Sequence, residues 1–259
     1  MKLKKWVALL MVATLTVCMC STALASRLDD IKEKGVLVVA TSPDWPPYEY
    51  MGEDGSYMGS DIDFAKYIAE QLGVELQIDA MEFDAVLAAL ANGKCDLGVA
   101  GMTYKEERLE VMDFSDVYYD DGDQVLLILA EKADELDSLA AFAGKTVAAQ
   151  NGTMQFDLVA EQLPDSKEEP ITNIPTAVLM LKEGKVDGVA VSSVVAKSYL
   201  ESMPELAVCA EIFDHPPEGV LMGVVKDEPE LLAAVNEIIA EVNEQGLYEQ
   251  WVAAQGQVE

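Results

Sequence analysis

Apolar residues come along this chain in short blocks separated by amphipathic stretches. Val36-Leu37-Val38-Val39-Ala40 carries no polar side chain, which suits a strand covered on both faces, as in a parallel sheet. Ahead of it, Leu28 to Lys34 reads as a short helix closed by Gly35. After a proline-rich turn, Ser60 and Asp61 are placed to cap a helix whose Ala65, Ile68, Ala69 and Leu72 share one face and which Gly73 ends. A strand is expected at 75–78. A helix follows, opened by Asp84 with Val86, Leu87 and Leu90 inward and Gly93 as its stop, and then a strand at Leu97-Gly98-Val99-Ala100. The later half repeats the scheme with a strand at 145–149, a helix capped by Thr176 and ended by Gly184, and a strand at Gly188-Val189-Ala190-Val191. Strand and helix alternating in this way predict an α/β fold.

Two helix-to-strand junctions share wording. Gly93-Lys94-Cys95-Asp96 and Gly184-Lys185-Val186-Asp187 each put a glycine where a helix end wants a left-handed residue and an aspartate before an apolar strand. Between the halves, the polar segment 116–123 reads as a crossing point. The last helix is expected to start at Asp227, with Glu230 at capping-box spacing. Its buried side carries Leu231, Leu232, Val235, Ile238, Ile239 and Val242, and it runs to Gly246. Its position returns the chain to the first half. The expected division is therefore two lobes, residues 26–119 with 221–259 forming the first and 120–220 the second.

Residues 1–25 read differently. Lys2, Lys4 and Lys5 precede an apolar run from Trp6 to Val17, and Ala23-Leu24-Ala25 offers a small-x-small cleavage site, so this is an expected signal peptide of an exported protein, periplasmic or cell-surface. The run is short of the ~20 residues that span a bilayer. Leu15-Thr16-Val17-Cys18 loosely resembles a lipoprotein cleavage site, which leaves lipid attachment at Cys18 or Cys20 as the alternative. The full chain of 259 residues has 47 acidic and 17 basic side chains, a net charge of −30. With no Lys/Arg cluster after residue 5, nucleic acid and anionic membrane surfaces are excluded as partners. The 51% of hydrophobic residues is enough for a folded core. Cys95 and Cys209 lie in separate apolar segments and are expected to be buried, unpaired thiols.

Catalytic motifs are lacking: no Gly-x-Ser-x-Gly, no His-Glu-x-x-His, no Cys-x-x-Cys after residue 25, and Gly144-Lys145-Thr146 lacks the earlier glycine of a phosphate loop. His215, the one histidine, sits in a proline-flanked turn and reads as a solvated loop residue. The acids at 116, 120, 121 and 123 do not follow a calcium-loop spacing and read as a solvated, mutually repelling turn, so neither metal nor cofactor is expected. Three segments after strands carry binding chemistry. In 100–108, Gly101 lets a ligand approach the main chain, Thr103 offers a hydroxyl and Arg108 a fork matched to a carboxylate. In 42–48, prolines hold Trp45 and Tyr48 stiffly, Tyr48 reading better as core. Phe83 is either wall or core. Gln150-Asn151-Gly152-Thr153 lies between a strand and a helix, where backbone N–H groups can bind an anion.

The order of Trp45-Pro46-Pro47-Tyr48, Gly59-Ser60-Asp61-Ile62-Asp63, Gly93-Lys94-Cys95-Asp96, Gly101-Met102-Thr103 with Arg108, and Asp113-Phe114-Ser115-Asp116 with Tyr118-Tyr119 resembles the polar amino-acid binding proteins of bacterial ABC importers, solute-binding family 3, from about residue 27 to Trp251. The resemblance implies a two-lobed periplasmic-binding-protein fold of type II, with a hinge of two crossing segments, that works as a monomer and delivers a small carboxylate ligand to a membrane permease. It assigns the ligand's α-carboxylate to Arg108 and the Thr103 hydroxyl, joined by backbone at Gly101 and Thr153. An aromatic clamp falls to Trp45 and Phe83, and Gln150 takes a side-chain-reading position. Relatives place an aspartate where this chain has Ser192, to pair with the ligand's ammonium; they also tend to have an aromatic at position 60 and often an acid at 42, both serine here. Burying an ammonium without a counter-ion costs several kcal/mol. Either another acid, Asp44 or Glu218, supplies the charge, or the ligand has no free amino group. The latter fits an alternative from another class, an exported cyclohexadienyl dehydratase-like enzyme on the same scaffold.

Overall fold

A computed structural model describes residues 26–216 and 218–255; the expected signal peptide, with Cys18 and Cys20, lies outside them. The first sheet is formed by β1 (Val36–Thr41), β5 (Glu75–Ala80), β6 (Leu97–Met102), β7 (Met112–Phe114) and β13 (Leu221–Val225), in the order β5-β1-β6-β13-β7. β1 pairs in parallel with β5 and β6, whereas β13 runs antiparallel between β6 and β7. The second sheet repeats the plan with β8 (Gln124–Leu129), β9 (Thr146–Gln150), β10 (Lys167–Ile171), β11 (Gly188–Ser192) and β12 (Leu206–Val208), in the order β10-β9-β11-β8-β12. Here β9 pairs in parallel with β10 and β11, and β8 runs antiparallel between β11 and β12. A small antiparallel sheet of β2 (Asp44–Trp45), β3 (Glu49–Met51) and β4 (Tyr57–Met58) stands beside the first.

The chain thus passes from the first sheet to the second after Phe114 and back before Leu221, and the fourth strand of each sheet is the one that follows a passage. The two passing segments meet in an antiparallel bridge between Tyr119 and Val220. Eight α-helices cover the sheets: α1 (Arg27–Lys34), α2 (Ser60–Leu72), α3 (Phe83–Ala91), α4 (Met154–Gln162), α5 (Ile174–Lys182), α6 (Ser193–Ser202), α7 (Pro229–Gln245) and α8 (Leu247–Ala254), among the described residues. Leu231, Val235, Ile238, Ile239 and Val242 of α7 are buried, with Leu232 half-buried. Cys95 and Cys209 are both free and buried.

The repeated Gly-Lys-x-Asp phrase is one structural device used twice. Asp96 accepts from the Val38 N–H (2.7 Å) while its own N–H donates to the Val38 carbonyl; Asp187 does the same with Thr146 (2.8 Å). Each aspartate locks the opening of a central strand to the turn before the next. Asp96 also receives Arg27 Nε at 2.5 Å. Asp96→Ala should therefore cost more stability than Asp187→Ala, about 2–3 against about 1 kcal/mol, in denaturant unfolding. Equal costs would mean the Arg27 bond adds nothing.

Several helix starts differ from the sequence expectation. α2 has Gly59 at its N-cap position, and Asp61 is not a cap: its carboxylate turns inward and is fully buried. α3 starts with Phe83 itself, after Glu82, so Asp84 lies in its first turn. Asn173, not Thr176, caps α5: its Oδ1 accepts from the Thr176 N–H, and Pro175 in the first turn has no N–H to lose. α7 follows Glu228 without a side-chain cap, because Asp227 is held at φ 63° with its N–H on Asp113.

Candidate functional site

The carboxyl ends of β1, β6 and β9 face one another across the gap between the sheets, the place where α/β folds converge backbone and side chains on a ligand. A small cavity of about 20 Å³ lies there. β1 leads into Ser42, Asp44 and Trp45; β6 leads into Thr103 and Arg108; β9 ends in Gln150 and leads to Thr153; Phe83 enters from the start of α3. Glu49, Ala100, Gly101 and Gln155 complete the lining. Of the residues expected from sequence, Trp45, Phe83, Gly101, Thr103, Arg108, Gln150 and Thr153 all border this cavity, and Ser192 does not.

Arg108 is buried in the short helical turn Glu106–Glu110. Its Nη1 donates to the Thr103 carbonyl (3.0 Å) and its Nη2 to the Gly152 carbonyl (2.5 Å), so it links β6 to the loop after β9. The guanidinium carbon lies 5.6 Å from the Phe83 ring centroid. Burial pulls its pKa down, opposed by Glu107, Asp157 and Asp84. Thr153 caps α4: its hydroxyl donates to the Gln150 carbonyl (2.7 Å) and accepts from the Phe156 N–H. The cavity therefore meets the N-terminus of a nine-residue helix near Arg108.

Two backbone and side-chain roles suggested by sequence are corrected. The Gly101 N–H already donates to Asp61 Oδ2 (2.9 Å), so it is not a free donor for a carboxylate. Gly101 instead permits close approach: at φ 51° an added Cβ would sit 3.0 Å from Trp45 Cδ1. Ser192 is fully buried as the cap of α6, accepting from the Val195 N–H (3.2 Å). Asp121 is likewise not part of a solvated turn. It is 2% exposed and accepts from Tyr48 Oη (2.6 Å), which explains why Tyr48 is core. Burial pushes Asp121 up to about 6 against the bond from Tyr48. Glu218 is exposed, 3.8 Å from His215, and is not in the lining; His215 is half-buried.

Acid enters the cavity elsewhere. Asp44 is 4% exposed and accepts from Ser42 Oγ (2.9 Å), Gln150 Nε2 (2.8 Å) and the Ile174 N–H (3.2 Å) at the start of α5. Burial nonetheless pushes it up to about 6. Glu49 is 1% exposed, and neither of its carboxyl oxygens meets an N–H or hydroxyl donor. Trp45 Nε1 is likewise buried without an acceptor. Glu107, Asp157 and Asp84 act on Arg108, and Asp61, Asp44 and Asp121 on Glu49. Glu49 and Gln155 escaped the sequence reading; the strand alternation at 49–51 is too short to show which face Glu49 takes. Among the described residues no group of His, Cys, Asp and Glu side chains is arranged to hold a metal, and no helix is long and apolar enough to cross a membrane.

Residues 37–254 match the family model of bacterial extracellular solute-binding proteins, family 3. The chain belongs to this family. It is 32% identical over 206 residues to the arginine-binding extracellular protein ArtP of Bacillus subtilis strain 168, covering 79% of each chain. Among solved structures, an amino acid ABC transporter substrate-binding protein from Streptococcus pneumoniae Canada MDR_19A bound to L-arginine superposes with a TM-score of 0.85 at 36% identity, over 90% of this chain and all of that one. The ancestral amino acid-binding protein AncCDT-1, a precursor of cyclohexadienyl dehydratase, gives 0.82 at 31% identity over 89% and 99%. The two sheets and their crossings are accordingly the two-lobed type II fold of the periplasmic-binding proteins, and this family 3 protein is a solute-binding protein of the extracellular or periplasmic class.

Proposed function

We propose that the protein captures an amino acid with a cationic side chain, L-arginine being the reference compound, by closing its lobes around it, and passes it to the permease of an ABC importer. The observation that carries this reading is a buried cavity whose lining holds both a guanidinium, Arg108, and two buried carboxyl groups, Asp44 and Glu49. A ligand carboxylate suits the Arg108 fork, the Thr103 hydroxyl and the N-terminus of α4. A ligand cation suits the acids, which supply the charge that Ser192 does not. Trp45 and Phe83 flank the space between as aromatic walls. The arginine named for the relatives points the same way.

The lobes 26–119 with 221–259 and 120–220 are proposed to swing about the Tyr119–Val220 bridge. Four contacts tie the closed form across the gap: Arg108 to the Gly152 carbonyl, Gln150 and the Ile174 N–H to Asp44, and the ion pair of Lys105 with Asp157. The working unit is a monomer, exported by the segment 1–25, with lipid at Cys18 or Cys20 as the anchored variant. A thermal-shift screen of the mature protein against the twenty amino acids and amino-free carboxylates should show its largest rise with arginine or lysine, since a ligand that binds only the folded state raises the melting point. A rise with amino-free carboxylates alone would overturn the reading. It would favour the dehydratase-like alternative, tested by incubation with prephenate and the appearance of phenylpyruvate absorbance; the likeness to AncCDT-1 is what motivates that arm.

A further inference from the structure

Glu49 faces no cation within its own surroundings. Around it stand Asp61 from α2, Asp44 from β2 and Asp121 from the crossing segment, together with the phenols of Tyr118, Tyr248 and Tyr48 that serve those acids. Asp61 accepts from Tyr118 Oη (2.8 Å), Tyr248 Oη (2.7 Å) and the Gly101 N–H (2.9 Å). Asp61 thus has three donors, whereas neither carboxyl oxygen of Glu49 has a hydrogen-bond partner, although the residue is 1% exposed and lines the cavity. A carboxyl group out of water with neither donor nor cation beside it keeps its proton. Burial and the neighbouring acids drive the Glu49 pKa well above the carboxylate range.

Resting on the cationic-ligand reading, we infer that Glu49 is a proton-exchange specificity residue: the ligand's cationic group takes the place of the proton that the buried Glu49 carboxyl holds, and that proton leaves to solvent as the ligand binds. The balance is simple. The Glu49 O–H bond breaks, the proton passes to buffer, and the carboxylate left behind is neutralised by the incoming guanidinium or ammonium. A neutral ligand of the same shape has no charge to offer and leaves the proton in place. The exchange leaves the net charge of the cavity the same with and without ligand, and it rejects neutral isosteres because they would face a carboxylic acid instead of a counter-ion.

Calorimetry of L-arginine binding to the mature protein at about pH 7.5, where Asp44 with its pKa near 6 is already ionised, tests this in two buffers of different ionisation enthalpy, phosphate and Tris. The expected result is an apparent enthalpy that differs between buffers by about one proton released per ligand, and an affinity that rises with pH, by up to roughly tenfold per unit while Glu49 stays protonated in the free protein. L-citrulline, the neutral isostere, should bind more weakly and release none. Glu49→Gln should abolish the release. The wild-type buffer comparison stands even if a variant folds poorly. Arginine binding with identical heats in both buffers, or equal release with citrulline, would overturn the exchange and leave the ligand reading intact. No arginine binding at all would overturn both.

Discussion

Replacing Arg108 by alanine is expected to weaken binding of a carboxylate ligand by about 2–5 kcal/mol, roughly thirty-fold to several thousand-fold in Kd. The cause is specific. The guanidinium is buried beside Thr103 and the N-terminus of α4, and its removal strips the site of the one cation in the cavity lining. Two further bonds go with it, to the Thr103 and Gly152 carbonyls, and the second belongs to the other lobe. Closure should therefore weaken along with affinity, while unfolding of the free protein shifts by only about 1 kcal/mol, the net worth of such bonds. Arg108→Lys keeps the charge without the planar fork and should recover part of the loss. Calorimetry with L-arginine decides the matter; an unchanged Kd in the alanine variant would remove Arg108 from the site.

Gly59→Ala should be the most damaging single methyl that can be added near the site. At φ 122° the backbone is in a region essentially closed to residues with a side chain, and an added Cβ would lie 2.0 Å from the Tyr48 carbonyl oxygen. The neighbour is main chain, fixed by the bonds of the Ser60 and Asp61 N–H groups to the Pro47 and Tyr48 carbonyls, so it cannot rotate away. The expected loss is at least about 3 kcal/mol, read as a drop of roughly 6–12 °C in melting temperature for a chain of this size. A shift of only a degree or two would show that the 47–61 turn can be rebuilt at little cost.

The sheets were legible because their strands are uninterrupted apolar runs, and the helix ends because glycine marks them: Gly35, Gly73 and Gly246 all stand in left-handed conformations at helix C-termini. Helix starts were less so. Asp61, Thr176 and Asp227 are good capping residues in isolation, but Asp61 was needed by two tyrosines and a glycine N–H, Asn173 was better placed than Thr176, and Asp113 pulled Asp227 aside. The site was readable where its residues follow strands directly, as at Trp45, Thr103 and Arg108. It was not readable at Glu49, Asp61 and Asp121, whose charge suggested solvent. Only the tertiary arrangement of Tyr48, Tyr118 and Tyr248, from segments far apart in the chain, shows that Asp61 and Asp121 have buried partners.

The order of the strands also sets the sequence in which the lobes can form as the chain emerges. All five strands of the second sheet lie within one uninterrupted stretch, from Gln124 to Val208, so that lobe can complete its hydrogen bonding as soon as this stretch has emerged. The first sheet cannot. β13 sits between β6 and β7, so until residues 221–225 arrive β7 has no neighbour and β6 keeps an open edge. The lobe that is begun first is therefore finished last, and until residues 221–225 arrive the growing chain carries Arg108 beside a sheet with an open edge.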